Sequence, residues 1–357
     1  MPECSIDILN FTHAQFVEHA AEHGIKRAAA HDAYLRAFRM GRIEVDWASL
    51  RVPAVSTTLA EGTTTKFCQA IEGGLETESV VIPLRGSAGR TRITLCVSSQ
   101  VGCAMGCTFC ETAQMGLMRN LTPSQIVAQW HAATFQLQAE IDNIVFMGMG
   151  EPMDNFESVQ QSIGVLTDHL GAAVAASRIT ISTVGHVEGI ARMADLMQRR
   201  GLKQLNLAVS VNAPNDSIRS RIMPINRAAP MDQLMAAMLD WQSRTGRGIL
   251  IEYVLIPGVN DSVEHADELC AFLKPLWCRV NVIPYNPRRD SPWPAPREDE
   301  VQQFVERVIA NGQFAKRRYT TGRSVMAACG QLGNASIRRR KFVALAASAP
   351  QVAPAAD

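Results

Sequence analysis

From Arg92 onward the chain repeats one pattern: a short, nearly continuous apolar run followed by a longer stretch with helical spacing. The runs are Arg92–Ser98, Asn143–Met149, Arg178–Thr183, Gln204–Val211, Gly248–Ile256 and Arg279–Tyr285. Helix-like stretches lie between them at Pro123–Ala139, Asn155–Leu170, Val187–Arg200, Met231–Thr245 and Ser262–Leu273. Strands that are apolar throughout need cover on both faces, and helical crossovers between parallel strands supply it. Six such units predict an α/β fold, a partial (β/α)6 TIM-like barrel. A doubly wound open sheet is the alternative. A helix over Arg297–Ala310 and a candidate strand over Gln313–Tyr319 extend the pattern.

Upstream, Thr12–Met40 reads as helical, with Phe16, Ala20, Ile25, Ala29, Leu35 and Phe38 near helical spacing. Thr63–Ile71 and Leu75–Leu84 flank Gly73-Gly74 as a β-hairpin, and Arg85–Arg90 reads as a loop. Ala344–Asp357, rich in Ala, Pro and Ser, is expected to be disordered. The domain expectation is therefore fivefold. Residues 1–60 form an N-terminal helical accessory unit, and 61–91 a hairpin and connector. Residues 92–290 form the core barrel, 291–343 a C-terminal extension, and 344–357 a tail.

At 47% hydrophobic the 357 residues can bury a large core, and a net charge of +1 gives no global field for nucleic acid. Basic residues nevertheless cluster at Arg288-Arg289, Lys316-Arg317-Arg318 and Arg338-Arg339-Arg340-Lys341, as solvated surface or as phosphate contacts. Nine cysteines, an odd number, suit a reducing compartment better than a disulfide framework. The start lacks the basic and apolar regions of a secretory signal, and no apolar run approaches a membrane span. A cytoplasmic protein without membrane contact is expected.

Three of the cysteines stand at Cys103, Cys107 and Cys110, a Cys-x3-Cys-x2-Cys run. Fe–S clusters are usually held by four cysteines, so three leave one iron open to an outside ligand. A structural zinc site would want four closed ligands. In parallel barrels working groups collect at the C-terminal strand ends. The three-cysteine loop follows the first strand, Gly148-Met-Gly-Glu-Pro152 the second, Ser182 ends the third, Ser210 and Asn212 the fourth, and Tyr285-Asn286-Pro287 the sixth. The Gly148–Glu151 segment reads as a tight strand-to-helix turn, or as a place where a ligand approaches backbone and Glu151 takes up an ammonium group. Cys96 ends the first strand, and Cys329 sits among small residues before Gly330. Two thiols on one rim outside the three-ligand run suggest covalent or redox chemistry. Cys4, Cys68, Cys270 and Cys278 read as structural.

Cys-x3-Cys-x2-Cys resembles the signature of the radical S-adenosylmethionine superfamily. Longer stretches resemble the RlmN/Cfr family of RNA adenine methyltransferases: Leu95–Cys103, Met147–Pro152, Ala213–Asp216, Ile251–Val254, Ile283–Pro287 and Ala328–Leu332. The resemblance runs from about Thr63 to Asn334. It implies a [4Fe-4S] cluster on Cys103, Cys107 and Cys110, whose open iron binds S-adenosylmethionine. Gly150, Glu151, Ser182, Ser210, Val211, Asn212 and Asn286 would line the cofactor site. Cys329 would be the cysteine methylated first, with Cys96 as its resolving partner through a disulfide. Glu78 matches a position assigned in the family to a general base, although a strand Glu is more often an exposed surface charge. A radical formed at the methylated Cys329 would add to an adenine carbon that is a poor nucleophile. The family commonly has Ser-Leu-His where this chain has Ser210-Val211-Asn212. The implied substrate is RNA, 23S rRNA with tRNA as a further candidate, methylated at carbon 2 because Thr112-Ala-Gln114 resembles that branch. The alternatives are carbon-8 methylation, which confers antibiotic resistance, or a radical enzyme with another substrate. An external electron donor such as flavodoxin and a monomeric state complete the expectation.

Overall fold

The computed structural model describes residues 5–85 and 89–334. Its main sheet has ten strands in strict chain order. They are β1 (Val55–Glu61), β2 (Thr64–Ile71), β3 (Leu75–Arg85), β4 (Thr91–Cys96), β5 (Asn143–Phe146), β6 (Ile179–Thr183), β7 (Asn206–Ser210), β8 (Ile249–Leu255), β9 (Cys278–Pro284) and β10 (Ala315–Arg317). Strands β4 to β10 run parallel, and β1 to β4 pair antiparallel. A doubly wound sheet reverses its strand order at a switch point. No reversal occurs here, so the sheet curls one way. With β10 at one end and β1 at the other, it is a partial barrel extended by an antiparallel flap.

The helices are α1 (His13–Glu22), α2 (Arg27–Met40), α3 (Glu111–Met115), α4 (Pro123–Phe135), α5 (Phe156–Thr167), α6 (Val187–Leu196), α7 (Asp216–Ile222), α8 (Met231–Thr245), α9 (Val263–Leu273) and α10 (Glu298–Ala310). Thr122 starts α4 and Ser262 starts α9 with reciprocal capping boxes, which satisfy backbone N–H groups that a helix start leaves open. Strand residues such as Leu95, Phe146, Ile181, Leu207, Ile251 and Val280 are all buried in the core. Phe16, Tyr34 and Phe38 of the first two helices belong to the same core. Phe38 stacks on Trp130 of α4 at 6.0 Å, and His131 Nε2 meets Ala37 O at 3.1 Å.

Three local expectations change. Thr12–Met40 is two helices, because the chain turns back through Gly24 at φ 77° before α2 begins. Strand β1 was not expected; its Ser-Thr-Thr run is mostly exposed and carries no apolar pattern. Strand β5 stops at Phe146, short of Met149, where the backbone bends across the rim. Cys4, the Arg338–Lys341 cluster and the Ala344–Asp357 tail lie outside the described residues. Among the described residues no helix is long and apolar enough to cross a membrane.

Candidate active site

The loops after the parallel strands enclose a cavity of about 150 Å3, open on one side. Cys103, Cys107, Cys110, Gly150, Glu151, Ser182, Ser210, Asn212 and Cys329 all line it. Val211, Asn286, Cys96 and Glu78 are not part of this lining. Val211 is fully buried in the core, and its carbonyl accepts a hydrogen bond from Arg219 Nε at 3.1 Å.

The cysteine loop is built by backbone geometry. Gly102 sits at φ 75°, and a Cβ there would stand 1.8 Å from Gly116 O. Only glycine lets the loop close so tightly on the turn after α3. Cys103 N–H then bonds Gly116 O at 3.1 Å, and Gln114 Nε2 holds the carbonyls of Cys107 and Cys110 at 3.3 Å each. Burial, before any other cause, pushes all three thiols above their usual range. Among the described residues no three Cys, His, Asp or Glu side chains converge on a single ion position. A cluster does not ask for that, since its thiolates are shared out among several irons. Three free thiols on one wall of a cavity fit such a group, and metal binding would remove the protons that burial now holds on them.

Opposite the loop, Glu151 caps its own segment. Its Oε1 accepts Met153 N–H at 3.1 Å and its Oε2 accepts Val184 N–H at 2.9 Å. Burial outweighs these bonds and pushes its carboxyl up to about 7. The two glycines before it are needed first for packing: a Cβ on Gly148 would lie 2.7 Å from Val97 O and from Ser98 Oγ. Asn212 is held at φ 55°, a conformation Asn tolerates. Its Oδ1 accepts Val254 N–H at 2.8 Å, so the side chain stitches β7 to β8 as well as facing the cavity. Glu252 also lines the cavity; Oε1 accepts Asn281 Nδ2 at 2.9 Å, while buried Oε2 has no hydrogen-bond partner. That oxygen has an ion pair with Arg318 but no hydrogen bond, which leaves it room to accept from a cofactor's ammonium or hydroxyl group.

At the mouth, Cys96 and Cys329 are neighbours. Burial first, then charge on Cys329, pushes the Cys96 thiol up to about 12 against the downward pull of Arg318 and the Met147 N–H. The Arg318 guanidinium is held above its usual value chiefly by Cys329, with Glu252 and Cys96 adding to the effect. Its Nη1 stands 3.8 Å from Glu252 Oε2. The Cys329 loop is tied down on all sides. Glu111 N–H bonds Gly330 O at 2.7 Å, Thr112 Oγ1 bonds Leu332 O at 2.6 Å, and Asn286 Nδ2 bonds Cys329 O at 3.3 Å. Asn286 thus serves the loop, and its Oδ1 accepts from Arg323 at 3.2 and 3.1 Å.

Glu78, expected as an exposed strand Glu, is buried. Its Oε2 lies 3.3 Å from Lys66 Nζ, each side chain only 6% exposed, and accepts Gly333 N–H at 3.1 Å. Lys66 Nζ also donates to Met326 O at 3.3 Å. The pair therefore grips the Cys329 loop on both sides of the cysteine.

The basic clusters dissolve into individual tasks. Arg288 Nε donates to Thr108 O at 2.9 Å, and Arg289 pairs with Glu111 at 3.1 Å. Both are structural ties to the cysteine loop rather than phosphate contacts. In the second cluster Lys316 is exposed, Arg317 pairs with Glu298, and Arg318 turns into the cavity. Arg219 was missed altogether. Fully buried, its guanidinium reaches the carbonyls of Val184, Ser210 and Val211 and so fixes two strand ends. Nothing local in sequence marks it, because its partners come from separate strands.

Comparison with known proteins agrees with this geometry. Residues 97–270 match the Radical SAM superfamily model. The chain is 41% identical over 265 residues to the dual-specificity RNA methyltransferase RlmN of Syntrophus aciditrophicus, covering 74% of this chain and 73% of that one. It is 38% identical over 316 residues to the protein of the same name from Nitratidesulfovibrio vulgaris, covering 86% and 84%. A crystal structure of a radical SAM methyltransferase from Sphaerobacter thermophilus superposes with a TM-score of 0.84 at 35% identity, covering 91% of this chain and 98% of that one.

Proposed function

The chain belongs to the RlmN family of radical S-adenosylmethionine RNA methyltransferases, and from that premise we propose that it methylates carbon 2 of an adenosine in 23S rRNA, with tRNA as a second substrate. The observation that carries the residue roles is the meeting of Cys329 with Cys96 at the mouth of the cavity that also takes Cys103, Cys107 and Cys110.

Cys103, Cys107 and Cys110 would hold a [4Fe-4S] cluster. Gly150, Glu151, Ser182, Ser210 and Asn212 would bind S-adenosylmethionine against it. These groups, when bound, supply the methyl group and the one-electron chemistry that an unreactive adenine carbon needs. The chain's own residues do the rest. Cys329 carries the methyl group and faces the cavity where it is received. The loop ties keep its sulfur in one place. Cys96 stands ready as the second thiol. When its sulfur attacks Cys329, an S–S bond forms as the C–S bond to the product breaks; the released carbon takes the electron pair and a proton. An external electron donor returns the pair to thiols. Arg318 offers a fixed positive charge to whichever sulfur is ionised, which eases that attack. For Glu78 the contacts support a positioning role on the Cys329 loop.

The test is anaerobic reconstitution with iron and sulfide, then incubation with protein-free 23S rRNA, reductant and labelled S-adenosylmethionine. Mass spectrometry of the nucleosides should show 2-methyladenosine. Formation of 8-methyladenosine would overturn the choice of carbon, and 5′-deoxyadenosine without any methyladenosine would overturn the substrate. Cys329→Ala should abolish RNA methylation.

A further inference from the structure

Arg219 holds a charge that its hydrogen bonds do not explain. It is fully buried, yet its side chain reaches only neutral groups. Nε donates to Val211 O at 3.1 Å, Nη1 to Asn226 Oδ1 at 2.9 Å, and Nη2 to Val184 O at 2.6 Å and Ser210 O at 3.2 Å. These bonds satisfy the donors without cancelling the charge. Elsewhere Lys66, Arg289 and Arg318 each face a buried carboxylate, on Glu78, Glu111 and Glu252. No carboxylate among the described residues forms an ion pair with Arg219. The Asp216 carboxylate is linked to it through Asn226, whose Nδ2 donates to Asp216 Oδ1 at 2.7 Å, and Asp216 is exposed. A cation held out of water without an anion beside it is costly, so the site is incomplete as it stands.

The surroundings say which anion completes it. Val184 and Ser210, which accept from Nη2, line the same cavity as Cys107. The cysteine loop is bonded to the helix that carries Arg219: Thr108 N–H donates to Ile222 O, further along α7, at 3.0 Å. Gly185 makes room for the guanidinium, since a Cβ there would stand 2.9 Å from Nη2. Cys107 and Arg219 are close enough for the charge on each to act on the other. Arg288 also meets this loop, at Thr108 O, but it is partly exposed and water screens it more. An iron–sulfur cluster on three thiolates is negatively charged, and becomes more so when it takes up an electron. We propose that Arg219 is the built-in countercharge of the cysteine site: fixed behind Cys107, its guanidinium holds a negative cluster in place and favours the reduced cluster over the oxidised one. This rests on the reading of Cys103, Cys107 and Cys110 as cluster ligands. It adds a residue outside the cavity lining that sets how readily the cluster accepts its electron from the donor, a step in which no bond is made or broken.

Arg219→Gln and Arg219→Lys, each in the full chain reconstituted anaerobically with iron and sulfide, separate charge from scaffolding. Both lose hydrogen bonds, so both should melt at a lower temperature. Arg219→Gln alone loses the charge. In a redox titration with dithionite and mediator dyes, read by the cluster's visible absorbance, its ratio of reduced to oxidised cluster at a fixed potential should fall roughly tenfold. That is the scale of a unit charge about 10 Å away at an effective dielectric of about 20, and it equals a midpoint ~59 mV more negative. Arg219→Lys should stay close to the unchanged chain. An Arg219→Gln chain that folds but takes up no iron, beside an Arg219→Lys chain that fills normally, also supports the countercharge. Arg219→Gln keeping the unchanged midpoint overturns the inference. So do two variants that behave alike in iron content and midpoint, or that both fail to fold; either result assigns Arg219 to scaffolding and leaves the cluster reading intact. An unchanged chain that takes up no iron overturns both.

Discussion

Glu78 and Lys66 offer a decisive experiment, because a base and a strut respond differently to one pair of substitutions. Their charged atoms lie 3.3 Å apart with each side chain 6% exposed. At an effective dielectric of about 20 the attraction at that distance is ~5 kcal/mol. Removing one partner leaves a buried charge alone, which costs ~3–5 kcal/mol. Removing both leaves none. Glu78→Gln and Lys66→Met should therefore each destabilise the chain by that amount in urea unfolding. The double variant should be more stable than either single variant, because no unpaired buried charge remains. The amide oxygen introduced by Glu78→Gln can still accept Gly333 N–H, so the double variant should also recover RNA methylation. A proton-abstracting role predicts otherwise, since an amide cannot take a proton whatever replaces Lys66. A double variant that is stable yet inactive would refute the strut and restore the base.

Three further outcomes follow from the same coordinates. Gly102→Ala forces a Cβ into Gly116 O and a left-handed φ on alanine, so iron content after reconstitution should collapse and the melting temperature should fall. Arg318→Met removes the cation that pulls the Cys96 thiol down, so alkylation of Cys96 by iodoacetamide near pH 8 should slow. His131 is held down at about 4 by burial against an ordinary value of 6.5. A depressed histidine adds stability above the unfolded pKa and loses it as pH falls through the folded one. Between about pH 6.5 and pH 4 the chain should lose ~3 kcal/mol that a His131→Gln variant does not lose.

Much of this was legible in the sequence, for definite reasons. Strands β4 to β9 are largely buried, so each carries several apolar residues in a short run. The rim residues could then be placed by counting to strand ends. Strand β1 escaped because its Ser56-Thr57-Thr58 run faces water and needs no such pattern. The run Lys316-Arg317-Arg318 looked like one basic patch, but a strand sends successive side chains to opposite faces. Composition cannot say which of the three turns inward. Burial of Glu78 was recoverable in principle. The hairpin register sets Cys68 against Glu78 and Lys66 against Val80, which makes Lys66 and Glu78 diagonal neighbours on one face. Arg219 had no such clue, since its partners meet only when the barrel has curled.

The strict chain order of the sheet bears on how the protein is made. Each new strand finds its neighbour already synthesised, so the sheet can grow by accretion from β1 as the ribosome delivers it. The Cys329 loop obeys the opposite rule. Gly333 reaches back 255 residues to Glu78, and Ser324 reaches back 263 to Glu61. The last stretch of the catalytic apparatus is sewn onto the first strands laid down. A nascent chain stalled in β9 would have its three-cysteine loop and most of its barrel, yet lack Cys329, the thiol proposed to carry the methyl group.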